Sequence, residues 1–101
     1  MNKPKTKVIF RKFKDNGEII ALFPELPGTN DVCTCESYVH NGQHGSASVN
    51  MSAITVRASE KEYEALKKEL ESIGYKLEIV NRFSTLHFDA RLKALNCRKV
   101  A

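Results

Sequence analysis

The sequence predicts an α+β domain, a two-layer sandwich in which about four strands, in the chain order β-β-loop-β-α-β, carry one main helix across a face of the sheet. Three observations carry that prediction. Asn16-Gly17 sits between two apolar runs, residues 7–14 and 18–23. Residues 59–74 hold the start, the apolar stripe and the stop of a helix, and the segments on either side, 51–57 and 75–80, alternate with period two. At 101 residues the chain reads as a single domain, 1–101, with one modest core.

Residues 1–6 are polar, contain a proline and are expected to fray. A strand over 7–14 and a second over 18–23 then form a hairpin, because Asn and Gly tolerate the positive φ of a tight turn. With Gly17 in a bulge, Lys14 faces Glu18 and Phe10 faces Leu22. Pro24 and Pro27-Gly28 end the second strand, and from there to Asn50 no sustained period of either kind appears, which predicts a long irregular loop over 24–50 with one weakly alternating stretch at 33–39. In 51–57 a period-two pattern resumes, with Ile54 and Val56 pointing one way. Ser59 and Glu62 have the spacing of a capping box, and Tyr63, Leu66, Leu70 and Ile73 recur on one helical face before Gly74, so the main helix spans about 60–73. Tyr75, Leu77 and Ile79 then point to the core of a last strand, and strand-helix-strand in that order predicts a right-handed crossover if its two strands are neighbours. Phe88, Leu92 and Leu95 behind Ser84 and Thr85 predict a short C-terminal helix, with residues 97–101 frayed; the residues alone assign Cys97 no role.

With 42% apolar and 28% charged residues, the composition is that of a folded chain. The longest apolar run, Ile19 to Phe23, is far below the ~20 residues of a membrane span, and no apolar segment follows the basic N-terminus, so no membrane partner and no signal segment are expected. Three cysteines, two of them separated by one residue, fit reduced thiols and a cytoplasmic location better than a disulfide framework. Residues 1–14 carry six basic and no acidic side chains, residues 15–50 five acidic and no Lys or Arg. Basic ends around an acidic middle allow contact with nucleic acid, but no compact Lys/Arg cluster with interleaved aromatics accompanies them.

The chemistry is concentrated between Cys33 and Gly45. Cys33, Cys35, His40 and His44 are competent zinc ligands, yet C-x-C-x4-H-x3-H lacks the ligand spacing of common zinc fingers, so the expected cofactor is none, with zinc as the minority alternative. Cys35 or Ser37 beside His40 or His44 supplies the residue types of nucleophilic catalysis without any recognisable catalytic signature. The favoured expectation is a non-enzymatic binding segment, its candidate contact residues Ser37, Tyr38, His40, Gln43 and His44, with Gly42 and Gly45 permitting unusual backbone angles. The partner, a protein or a nucleic acid, is unknown.

Several short motifs coincide: Phe10-Arg11-Lys12, Ala21-Leu22-Phe23-Pro24, Ser37-Tyr38-Val39-His40-Asn41-Gly42-Gln43-His44-Gly45, Glu62-Tyr63-Glu64-Ala65-Leu66 and Gly74-Tyr75. In these the chain resembles a group of small bacterial proteins from phage, plasmid or transposon-like regions. The likeness covers most of residues 8–80, and the Ser-Tyr-x-His-x-Gly-Gln-His-Gly stretch is its most specific part. It implies a mobile-element setting and no particular activity.

Overall fold

The computed structural model describes residues 5–40 and 43–100, and within that range every side chain except those of residues 43, 52 and 98–100. The elements, in chain order, are β1 (Thr6–Phe13), β2 (Ile19–Phe23), β3 (Thr34–Val39), β4 (Gln43–Ser48), a 3-10 turn (Met51–Ala53), β5 (Thr55–Arg57), α1 (Glu60–Ser72), β6 (Leu77–Ile79) and α2 (Thr85–Val100). The α+β class stands, with a six-stranded sheet and two helices.

The sheet runs β4-β3-β2-β1-β5, all antiparallel, and β6 pairs in parallel with β1. β5 and β6 share one edge of β1. The carbonyls of Val8 and Phe10, two residues apart and therefore on the same edge, accept from the backbone N–H of Val80 (2.9 Å) and Ala58 (3.3 Å). One strand pairs antiparallel and the other parallel with β1, so β5 and β6 run in opposite senses, and the crossover expected of neighbouring parallel strands is not formed.

The pleat divides the core in two. Val8, Phe10, Ala21, Phe23 and Tyr38 pack under Leu66 and Leu70 of α1, with Tyr63 stacked on Phe10 at 4.4 Å. Full burial of each such leucine contributes about 1.5–3 kcal/mol. On the reverse face Ile9, Ile20, Leu22 and Cys35 are covered by Val49, Met51, Val80 and Phe83, so both faces are buried, where a two-layer sandwich leaves one in solvent. α1 begins as its sequence requires: the Ser59 N–H donates to Glu62 Oε1 (2.9 Å) in a capping box, and Lys12 also reaches Glu62. Lys12, then Ser59, hold the Glu62 carboxyl down at about 2.

Several expectations are corrected. Thr34–Val39 and Gln43–Ser48 pair as the antiparallel strands β3 and β4 in place of an irregular loop, because pairing with β3 makes a strand of Gln43–Ser48, which has no apolar alternation of its own. The first hairpin is shifted by one residue, with Phe10 opposite Ala21 and Ile9 opposite Leu22. Its turn is longer than two residues: the Gly17 N–H bonds the Phe13 carbonyl, and Gly17 sits at φ +73°. That shift puts Phe10 and Leu22 on opposite faces. Thr55 is buried while Ile54 and Val56 are exposed, and Ile73 and Ile79 are exposed as well. α2 continues to Val100, through the residues expected to fray; it buries His87, Arg91 and Leu95 and leaves Phe88 and Leu92 half exposed, and Cys97 is exposed. The buried stripe was hidden because its first two members are residues ordinarily placed in water.

Candidate functional site

The chemically dense segment is a sheet edge, and its pleat sorts the side chains. In the β3–β4 register Tyr38 lies opposite His44, Ser37 opposite Gly45 and Cys35 opposite Ala47. Tyr38 and His44 therefore face α1, while Ser37 and Cys35 face the reverse side. Asn41, Gly42 and the Gln43 side chain lie outside the described residues.

On the α1 side, a carboxylate gathers the polar groups. Glu69 of α1 accepts a hydrogen bond from the Tyr38 hydroxyl on one oxygen, and its other oxygen lies 2.6 Å from His40 Nδ1. Tyr38 itself is buried, and the His40 ring is mostly in solvent. His44 meets Tyr38 edge-to-face, with ring centroids 4.7 Å apart, and its Nε2 lies 3.1 Å from the Tyr75 hydroxyl. Tyr75 in turn stacks on Phe23 at 5.2 Å. Burial, and after it the Glu36 carboxylate, raise the Tyr75 phenol above its ordinary range, so it remains a neutral donor or acceptor at any physiological pH. Beyond His40 an open groove of about 490 Å³ runs between β2 and α1, with Ile19, Ala65 and Leu66 among its lining and Glu18 and Glu62 in its walls.

Of the sequence candidates, Tyr38, His40 and His44 come together; Ser37 does not join them. The four zinc candidates also fail to converge. Cys35 is buried against Ile9, Ile20 and Leu22 on the reverse face, and among the described residues no group of three or more His, Cys, Asp or Glu side chains could hold a metal ion. Burial pushes the Cys35 thiol up to about 11, with Arg91 opposing, so it stays protonated and is a poor nucleophile. Glu69 and Tyr75 are the members that sequence reasoning missed. Glu69 stands three residues after Leu66, on the flank of the apolar stripe, and an acid there opposite a segment rich in His and Tyr and free of Lys and Arg was the available signal.

What this arrangement does mechanically is tie the hairpin to α1 and to the residue entering β6. Among the described residues, no strand pairs with the outer edge of this hairpin. The Val49 N–H bonds the Cys33 carbonyl (3.0 Å), which sets the ladder's phase: Gly45 and Ala47 direct their backbone groups to β3, and His44, Ser46 and Ser48 direct theirs away from the sheet. β4 is the terminal strand of its sheet. No family model, curated protein or solved structure matches this chain.

Proposed function

We propose that the protein is a non-enzymatic binding module that receives an extended strand of a protein partner on the free edge of β4, in the mobile-element setting that its motifs suggest. The observation that carries this reading is the unguarded edge. Edge strands are ordinarily protected by shortness, charge or proline. β5 and β6 are three residues each and contain Arg57 and Glu78, whereas β4 has six residues, Gln-His-Gly-Ser-Ala-Ser, with neither charge nor proline. Strand addition there would draw affinity from the outward N–H and C=O groups of His44, Ser46 and Ser48, and selectivity from side chains on the α1 face, where His40 and Glu69 stand near the end of the edge.

The test uses a random dodecapeptide display library panned on the folded protein. Selected peptides bind the wild type, shift the backbone amide resonances of His44, Ser46 and Ser48, and lose binding to Ser46→Pro. The Ser46 N–H points away from β3, so proline there removes the docking donor and leaves the β3–β4 ladder intact. Peptides that bind Ser46→Pro equally well, or that leave those amides unshifted, refute the reading. Self-pairing of two β4 edges would register instead as a dimer in light scattering, abolished by the same substitution.

The enzymatic alternative keeps only the His40–Glu69 pair. A carboxylate against Nδ1 orients the imidazole and leaves Nε2 as the outward atom, which is how a general base is presented. The Cys35 thiol, buried on the reverse face, does not join it.

A further inference from the structure

The opposite end of the sheet carries a second, unrelated feature. Arg11 of β1 and Arg57 of β5 are direct cross-strand partners. The flanking bonds, Lys14 N–H to the Ile54 carbonyl and Ala58 N–H to the Phe10 carbonyl, show that even-numbered residues of β1 bond to β5. The Arg11–Arg57 pair therefore occupies a non-hydrogen-bonded position, where facing side chains come closest, and like charges there are unfavourable.

Among the described residues, no ion pair neutralises either guanidinium. Arg11 is held by Thr55, donating from Nε to Oγ1 (3.0 Å) and from Nη2 to the carbonyl (3.0 Å), which orients the guanidinium and uses two of its five donors. Among the described residues, neither Arg11, Arg57 nor Arg82 forms an ion pair with a carboxylate; the acidic partners belong to Lys7, Lys12, His40 and Lys68. Two open grooves flank this region, one on each face of the sheet. One, of about 310 Å³, takes Arg57, Ser59 and Tyr63 into its lining; the other, of about 110 Å³, takes Arg11, Arg82 and Phe83; Asn81 lines both. Glu60, three residues after Arg57 in the larger groove, is the one carboxylate among the described lining residues.

We infer that Arg11, Arg57 and Arg82 form a contact surface for the phosphodiester backbone of a nucleic acid. Guanidinium groups suit phosphate because their fixed fork of donors matches its oxygens. A phosphate between Arg11 and Arg57 relieves the repulsion between them, and Arg82, which lines the same groove as Arg11, offers the next contact. Contacts of this kind carry affinity without reading sequence. This surface lies at the other end of the sheet from β4, and the inference is independent of strand addition there.

The experiment is fluorescence anisotropy with a labelled 20-mer, single- and double-stranded, titrated with the intact protein at 50 to 200 mM salt. Three phosphate contacts on duplex give a slope of log affinity against log salt of about −2.7, or about a 40-fold loss of affinity over that range. The double variant Arg57→Gln/Arg82→Gln retains one contact, and its slope falls to about −0.9, or about a 3- to 4-fold loss. Both arginines are exposed, so circular dichroism of the variant stays that of the wild type. The control Lys67→Gln/Lys68→Gln, which removes the same charge from α1, binds like the wild type. The inference is overturned by absence of binding at 50 mM salt, by a double variant that binds like the wild type, or by a control that weakens as much as the double variant. Millimolar inorganic phosphate serves as competitor: binding of phosphate alone, without the oligonucleotide, likewise overturns a backbone surface.

Discussion

Arg91 offers the sharpest test of how α2 is held to the sheet. The side chain is 3% exposed, and its guanidinium donates from Nε to the Val32 carbonyl (2.8 Å) and from Nη1 to the Pro24 carbonyl (2.6 Å), at the two ends of the segment between β2 and β3. It also lies 5.6 Å from the ring centroid of Phe83 and 5.8 Å from that of Phe88. Two hydrogen bonds from a charged donor are worth about 1.5–3 kcal/mol each, and each carbonyl left unpaired in the interior costs about 1–3 kcal/mol. Against that, removing a buried guanidinium recovers a desolvation cost of several kcal/mol. The balance for Arg91→Ala is a loss of about 2–4 kcal/mol, which for a chain of this length lowers Tm by about 10–20 °C. Urea denaturation followed by circular dichroism measures the loss, and hydrogen exchange should locate the earliest opening in α2 and residues 24–33. Arg91→Lys, with a single compact ammonium that cannot span both carbonyls, should recover less than half of it. A loss below about 0.5 kcal/mol for the alanine variant would refute the idea that this cation fastens α2, since two orphaned carbonyls would already cost more.

Three further predictions follow from particular contacts. A Cβ at Gly28 would lie 2.5 Å from the Cys35 carbonyl oxygen and 2.6 Å from Ser46 Cβ, both fixed in the β3–β4 ladder, so Gly28→Ala should destabilise by about 1–3 kcal/mol in urea and broaden the β4 amide resonances. The His87 Nδ1 accepts from the Ser84 N–H (3.1 Å) while Ser84 Oγ accepts from the His87 N–H (3.4 Å), a cap that needs the neutral ring. Burial lowers the His87 pKa, with Glu25 opposing. A depressed value means that the unfolded chain binds the proton first, so this stability is complete above the ordinary histidine value of about 6.5 and is lost as pH falls through the lower folded value. Paired urea curves at pH 7.5 and 5.0 should show the advantage of wild type over His87→Gln shrinking at the acid end. Finally, a colorimetric disulfide reagent should titrate Cys33 and Cys97 rapidly in the native state and Cys35 only on unfolding; rapid reaction of all three would contradict the burial that keeps its thiol protonated.

What the sequence by itself determined is local. α1 follows from Ser59, Glu62, the Leu66/Leu70 spacing and Gly74, whose φ of +109° only glycine adopts readily, because each of these signals acts within a turn or two of its own helix. The first hairpin and the existence of a strand at Leu77–Ile79 were legible for the same reason, and so were three members of the polar cluster, Tyr38, His40 and His44. What only the tertiary structure decided depends on partners far apart in the chain. Gln43–Ser48 has no strand signature until β3 lies beside it, and one residue of register settles whether Phe10 and Leu22 share a face. The pleat then sends Cys35 and His44 to opposite faces, so the zinc-competent residues of one segment do not share a side. Glu69 meets His40 across 29 positions, and Arg57 meets Arg11 across 46, through pairings that no short-range pattern encodes. A residue's type states what chemistry it can do; the strand beside it and the face it occupies decide which chemistry it is offered.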